Sequence, residues 1–363
     1  MDLLAASWAA EGGDTVTANR PPLRAVDEVD VTLLDALHAN PRVSFEKLGP
    51  ILGISAATAA RRWQRLVESG RAWVSSVPGP SLALVGAVFE VRAAPGHILE
   101  VAQELSAVPQ AVSVYATSGS SDLTVIVIAA DMSTLSSLLL QRLPNVAGIA
   151  SATSHIGIEW YSGVHWRLGA IDTSQTRSVT AESDSEGRAT PRVRTFVPAD
   201  RQLFLALQRD GRARYRDLAR ELGSSEYLVR RQLDTLVRRG MLGFRTDFTR
   251  VEVGWPVEFV LWLSVPHHRL EEIGGEIASW PVTRICLSTT GVANLMVMAQ
   301  VHKVGAIADA LERVRTNLPD AEVVEHRLVL RPIKSWGRLL DADGRAAGLI
   351  PVDPWATADS GGK

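Results

Sequence analysis

The chain holds one cysteine, Cys286, in 363 residues. A single thiol excludes a disulfide framework and any multi-cysteine metal site, and it suits a reducing compartment. The eight histidines are scattered, and none has the i,i+4 spacing of a helical metal pair. No Ser-His-Asp arrangement, phosphate loop or glycine-rich dinucleotide motif is present. The expectation is therefore no enzyme, no cofactor and no metal. Long apolar runs are missing too. Leu123–Ala130 is the longest kind of stretch on offer, far short of the roughly 20 residues that span a bilayer. The opening Met1-Asp2-Leu3-Leu4 lacks the basic stretch of a secretory leader. These absences predict a cytoplasmic protein without a membrane partner.

What is present is 46% apolar residues, enough for sizeable cores, and a net charge of −2. The charge is unevenly spread. Between positions 200 and 246 there are 11 Arg against 6 acidic residues, and between 29 and 76 there are 6 Lys+Arg against 4. Local basic segments in an acidic chain are the footprint of phosphate binding, although solvated helices carry them as well.

The basic segments are related. At a constant offset of 170, Asp30/Asp200, Leu33/Leu203, Leu37/Leu207, Arg42/Arg212, Leu48/Leu218, Gly53/Gly223, Ser55/Ser225, Arg61/Arg231, Leu66/Leu236 and Gly70/Gly240 are identical pairs. Spaced apolar residues, glycines and a serine are what one fold used twice requires. Each copy reads as three short helices. Leu33, Leu34 and Leu37 form the stripe of the first. Gly53 and Gly223 end the second, and Ser55 and Ser225 are good N-caps for the third. A helix, a Gly-x-Ser turn and a capped helix is the helix-turn-helix pattern, whose last helix enters the major groove. The third helices carry Arg61, Arg62 and Arg65 in one copy and Arg230, Arg231, Arg238 and Arg239 in the other.

After each trihelical unit the pattern runs strand, helix, strand, strand, helix, strand: Val85–Arg92, His97–Leu105, Ala111–Thr117, Leu123–Ala129, Met132–Arg142 and Val146–Ile158, then again from Val257 to Leu330. This βαββαβ order predicts a ferredoxin-like unit. The strands at Leu123–Ile128 and Leu295–Ala299 are apolar almost throughout, where a strand with one wet face would alternate. Helices cover one face, so the other needs a second sheet, and the duplicate copy supplies it as an internal pseudo-dimer.

The fold class expected is α+β: two winged helix-turn-helix domains alternating with two βαββαβ domains. The boundaries read 1–25 disordered, 26–76 first helix-turn-helix, 82–165 first effector unit, 170–197 flexible linker, 198–247 second helix-turn-helix, 253–336 second effector unit and 350–363 disordered tail. The linker rests on Ser174–Thr195, rich in Ser, Thr, Arg and acids.

These motifs, in this order and twice, resemble the Lrp/AsnC (feast/famine) family of regulators. Its N-terminal signature matches Asp30, Arg42, Leu48, Gly53, Ser55, Arg61, Leu66 and Gly70, and Leu218-Ala219-Arg220-Glu221-Leu222-Gly223-Ser224-Ser225 matches more closely. The resemblance implies a transcriptional regulator that binds double-stranded DNA, responds to an amino acid or related metabolite, and assembles into homo-oligomers. On the third helices, Arg61 and Arg231 are candidates for phosphate contact, the alternative being a surface salt bridge within the unit, and Thr58, Tyr227 and Arg230 are candidates for base edges; with Ser55, Arg62 and Ser225 they make up the expected DNA-binding residues. The family's Thr-Gly-x-x-Asp loop corresponds to Ser118-Gly119-Ser120-Ser121-Asp122 and Thr290-Gly291-Val292-Ala293-Asn294. Gly119, Asp122, Gly291 and Asn294 are thus the effector candidates, with the Asp122 carboxylate facing an ammonium group; both glycines equally suit a plain hairpin turn. Two unlike recognition helices predict an operator with two unlike half-sites. The alternatives are a siroheme-decarboxylase-like enzyme using His155 or His326, and a ligand-binding scaffold that does not touch DNA.

Overall fold

The computed structural model describes residues 25–162, 167–181 and 194–356. The expected disorder of 1–24 and 357–363, and the middle of the linker at 182–193, lie outside the described residues.

The first trihelical unit comprises α1 (Glu28–Ala39), α2 (Phe45–Ile51) and α3 (Ala56–Glu68). Its starts are set by side chains. Asp27 and Asp30 form a reciprocal capping box on α1, and Ser44 and Ser55 accept from the third amides of α2 and α3. Leu33, Leu37, Leu48, Ala59, Trp63 and Leu66 close the core. The second unit repeats this with α7 (Pro198–Arg209), α8 (Tyr215–Glu221) and α9 (Glu226–Arg238). It buries Leu203, Phe204, Leu207, Leu218, Val229, Leu233 and Leu236.

The two units are welded together. Strand β1 (Ala72–Pro78) follows the first and β6 (Leu242–Phe248) the second, and they pair antiparallel from Ala72↔Phe248 to Pro78↔Leu242. Arg212 crosses to donate to the Pro41 and Val43 carbonyls and lies over the Phe45 ring at 4.5 Å. Its repeat partner Arg42 crosses the other way, donating to the Gly211 carbonyl and lying over Phe244 at 5.0 Å. Each guanidinium trades water for carbonyls and an aromatic face on the opposite unit.

The remainder is built on β2 (Val85–Ala93), α4 (Ile98–Ser106), β3 (Ala111–Thr117), β4 (Leu123–Ala129), α5 (Met132–Ser137, continued as a π-turn to Arg142) and β5 (Ile149–Ser162). The same order returns in β7 (Val257–Ser264), α10 (Leu270–Ser279), β8 (Thr283–Thr289), β9 (Leu295–Val301), α11 (Ala306–Asn317) and β10 (Glu322–Ser335). The apolar strands are covered on both faces. In β4, Leu123, Val125 and Val127 pack in the core that includes α4 and α5 residues, while Ile126 and Ile128 meet Val260, Trp262, Leu287, Met296 and Met298 of the other half.

Strand exchange, which the sequence pattern did not announce, closes the structure. The first part of β5 pairs with β2 of its own half as far as Ile156; from Gly157 it pairs with β8 of the other, with a register shift just beyond the change, between Gly157 and Glu159. Strand β10 likewise pairs with β7 as far as Leu328 and with β3 from Val329, with a register shift between Val329 and Arg331. The ring β10-β3-β4-β2-β5-β8-β9-β7 returns to β10, so both sheets lose their open edges at the seam. Bulges of this kind are how strands switch sheets.

Two expectations are corrected. Residues 170–181 are not a flexible linker: α6 (Thr173–Thr180) starts at an Asp172–Gln175 capping box and buries Val179 and Ile171 in the first trihelical core. Buried Asp35 accepts from the amides of Leu168, Ala170 and Ile171. Residues 350–356 are not a disordered tail either. Beyond β11 (Arg338–Leu340) and β12 (Ala346–Leu349), Val352 enters the core between the sheets and Trp355 packs on Phe196 and Phe204. Gln208 donates to the Val352 carbonyl and accepts from its amide. Composition reads both segments as coil because each contributes few large apolar side chains: Ile171 and Val179 are buried in one, and Val352 is buried and Trp355 partly buried in the other.

Candidate nucleic-acid interface and effector loops

The third helices α3 and α9 differ in what they show. Ser55 and Ser225 cap them, accepting from the Thr58 and Leu228 amides. The Ser55 hydroxyl also donates to the Thr58 hydroxyl at 2.9 Å. On α3, Arg61 is exposed. Arg62 is not available to DNA as expected: it donates to Asp27 and Asp30 at 2.8 Å. Those two carboxylates hold its guanidinium above its ordinary range, so the charge is already matched. Arg65 also donates to Asp30, which is fully buried.

On α9 the position of Arg62 is taken by Gln232, whose amide donates to Asp200 at 2.7 Å. A neutral side chain does the internal work there, and Arg230 and Arg231 remain exposed. With Tyr227, Asp234 and Arg238 they line an open depression of about 320 Å³. Tyr227 is 71% exposed and Leu228 53%. In sequence, Arg238 is noted among the arginines of this helix but not assigned to the DNA-binding set, and Leu228 is not singled out; the signal for both is their place beside Arg231 on the exposed face.

The hairpin loops sit on the exchanged strands. The Ser118 amide donates to the Leu328 carbonyl and its hydroxyl accepts from the Leu328 amide. Thr290 makes the same pair of bonds with Ile156. Gly119 has φ +94° and Gly291 φ +119°, backbone that favours glycine. A Cβ on Gly119 would come within 3.0 Å of Arg327 and Glu325 side chains.

Asp122 and Asn294 are engaged with backbone. One Asp122 carboxylate oxygen accepts from the Ala93 amide at 2.9 Å. Asn294 accepts from the Val265 amide at 2.9 Å and donates to the Val265 carbonyl at 2.8 Å. Both side chains clip the hairpin to the end of the first strand of their own half. Only an acceptor is needed for that bond, which is why Asp and Asn serve equally.

Between the loops lies a polar cluster that single residues did not reveal. Glu90 accepts from the Trp262 indole at 3.2 Å and from Arg327. His155 stacks on Trp262 at 4.5 Å, with its Nε2 3.8 Å from Glu90. Burial pushes the Glu90 carboxyl up, but the neighbouring His155 and the bonded Arg327 outweigh it and hold the carboxylate low. Arg327 also donates to Glu325 at 2.6 Å, drawing that carboxyl down to about 2. His326 lies elsewhere, lining a cavity of about 400 Å³ with Ser118, Val304, Ile307, Leu311 and Leu328. Among the described residues no group of three or more His, Cys, Asp or Glu is placed to hold a metal, and no helix is long and apolar enough to cross a membrane.

Comparisons with known proteins agree with this anatomy. A model of the AsnC-type helix-turn-helix domain matches residues 26–67. A model of the Lrp/AsnC ligand binding domain matches 86–162, and one of a winged helix-turn-helix DNA-binding domain matches 198–242. The chain is 30% identical over 121 residues to the HTH-type transcriptional regulator Ptr1 of Methanocaldococcus jannaschii, covering 32% of this chain and 82% of that protein. It is 24% identical over 123 residues to the HTH-type transcriptional regulator LysM of Saccharolobus solfataricus, again 32% and 82%. Among solved structures, the siroheme decarboxylase NirDL matches with a TM-score of 0.54 and 14% identity, over 85% of this chain and 93% of that one. At that identity the likeness is one of fold. On its motifs, its matched domains and its relatives, the chain belongs to the Lrp/AsnC family.

Proposed function

We propose that the chain is a sequence-specific DNA-binding transcriptional regulator of the cytoplasm, made by tandem duplication so that its halves form an internal pseudo-dimer. The observation that carries this is the α9 face: Arg230, Arg231 and Arg238 around an exposed Tyr227. Guanidinium groups on a groove-reading helix gain from phosphates and from guanine edges. The regulators Ptr1 and LysM among its relatives support the same reading. The test is capture of fragmented genomic DNA by the full chain at low salt. Specific fragments should be retained, and Arg230→Ala/Arg231→Ala should release them.

A small metabolite, an amino acid or relative, is the proposed effector. Because Asp122 and Asn294 are engaged with backbone, its place is the cavity lined by Ser118, His326 and Leu328 beside the Gly119 loop. Whole chains are proposed to associate further: Ile158 and Leu330 project from corresponding places on the exchanged strands, 59% and 64% exposed.

The protein acts by binding rather than catalysis. The rival reading, a tetrapyrrole decarboxylase, is favoured by the NirDL fold likeness. Titration with an iron tetrapyrrole separates the two: a shifted absorption band that His155→Ala or His326→Ala removes would favour the enzyme.

A further inference from the structure

The two trihelical units share a fold and differ in what remains free to meet DNA. On α3 the two arginines nearest the core are spent on Asp27 and Asp30. The Thr58 hydroxyl is held by Ser55, and Gln64 is turned onto Glu68 at 2.8 Å. Arg61 is the one basic side chain left exposed on that helix, and Ala57 and Ala60 flank it with no hydrogen-bonding group. On α9 the corresponding places are Tyr227, Leu228, Arg230, Arg231, Asp234 and Arg238, and all are exposed. Direct readout of an operator needs groups that reach base edges: arginine for guanine, an apolar group for the thymine methyl. The first unit has almost none and the second has several. Nor can the first unit swing out to find a separate site, because β1–β6 pairing and the crossed Arg42 and Arg212 fix it to the second.

We infer that each chain reads one half-site, through α9 alone, and that the first trihelical unit has become the scaffold that holds α9 in place. This rests on the DNA-binding reading above. Its consequence is a short, single-element recognition sequence per chain in place of the two unlike half-sites that two helix-turn-helix copies would suggest. Tyr227, Leu228, Arg230, Arg231 and Arg238 determine the specificity. Leu228 is the candidate for a thymine methyl.

The test uses the full chain. Preferred duplexes are selected from random DNA, footprinted, and their affinity measured as flanking sequence is trimmed. One contiguous element per bound chain is expected. Arg231→Ala should weaken binding roughly 10- to 100-fold, and Arg61→Ala less than about twofold, by loss of one partly screened phosphate contact. Replacing the element's thymines by uracil should weaken the wild type several-fold and leave Leu228→Ala indifferent. Both arginines are exposed, so unchanged melting temperatures will verify folding. Two unlike elements per chain, with affinity that oscillates with their spacing, would overturn the inference while leaving the DNA-binding reading intact. So would equal losses from Arg61→Ala and Arg231→Ala. Failure of the wild type to retain any duplex at low salt would overturn both.

Discussion

The paired halves of the barrel and the paired helix-turn-helix units have diverged in opposite ways. In the barrel, the counterparts that hold the hairpins and fill the layer between the sheets keep their jobs even where the residue changes. Ser118 and Thr290 make the same two bonds to Leu328 and Ile156. Asp122 and Asn294 clip the same strand end, and Ile126 and Met298 fill the same layer between the sheets. In the trihelical units the cores match while the outward faces of α3 and α9 do not. Packing tolerates few changes, because a lost methylene or an unpaired polar group is costly inside. A solvent face is constrained only by what it binds, so its divergence reports function.

The strongest way to break the barrel comparison is to empty its centre. Ile126→Ala and Met298→Ala should each destabilise the chain by about 2–5 kcal/mol, within about 1 kcal/mol of each other, by denaturant unfolding. A large cost on one side alone would mean that the halves are not packed equivalently.

Next come the crossed arginines. Arg212→Ala removes two bonds to carbonyls and a stacked face, and should cost about 2–3 kcal/mol. Arg42→Ala should cost less, since only the bond to the Gly211 carbonyl is lost. The reverse order would show that the junction is not organised as described.

One asymmetry of the barrel is pH-sensitive. Lys334 of β10 is fully buried, donating to the carbonyls of Ser106 at 2.9 Å and Val108 at 3.3 Å at the end of α4. Burial pulls its ammonium down to about 7 from 10.5. The unfolded chain therefore binds more protons than the folded one between about pH 7 and 10.5, so this group's penalty is full below 7 and fades above it. Stability should rise through that window relative to Lys334→Met, by at most about 1.4 kcal/mol per pH unit. Parallel curves for the two proteins would remove Lys334 from the account.

The smallest effect belongs to the hairpin clips. Asp122→Asn should be nearly neutral, because an amide oxygen accepts from Ala93 as well as a carboxylate does. Asp122→Ala should cost about 1–2 kcal/mol in melting experiments. A ligand whose stabilisation vanishes with Asp122→Asn would restore that carboxylate to the effector site.

Much of this was legible beforehand. The offset of 170 made the two like trihelical units visible, because a core that repeats in space repeats its apolar spacing in sequence. The unbroken apolar strands gave sheet-on-sheet packing for the same reason. Strand exchange was not legible, because it depends on a bulge in mid-strand and on the partner beyond it. The helix at Thr173–Thr180 and the packed residues 350–356 hide behind coil-like composition, since their few apolar residues have no period. Arg62 looked like Arg61 in sequence; only its 2.8 Å contacts with Asp27 and Asp30 tell them apart. Asp122 looks like an effector contact because its loop resembles the family's Thr-Gly-x-x-Asp pattern; the sequence does not show that one of its oxygens accepts from the Ala93 amide.

The central claim is that α9, not α3, carries the DNA contact. Its most direct test is the dependence of operator affinity on salt for the wild type, Arg230→Ala/Arg231→Ala and Arg61→Ala/Arg62→Ala. Each phosphate neutralised adds about 0.9 to the log–log slope. The account predicts that the α9 pair flattens the slope by one to two such steps, and that the α3 pair flattens it by at most one. Equal flattening by the two pairs, or a larger change from α3, would contradict it.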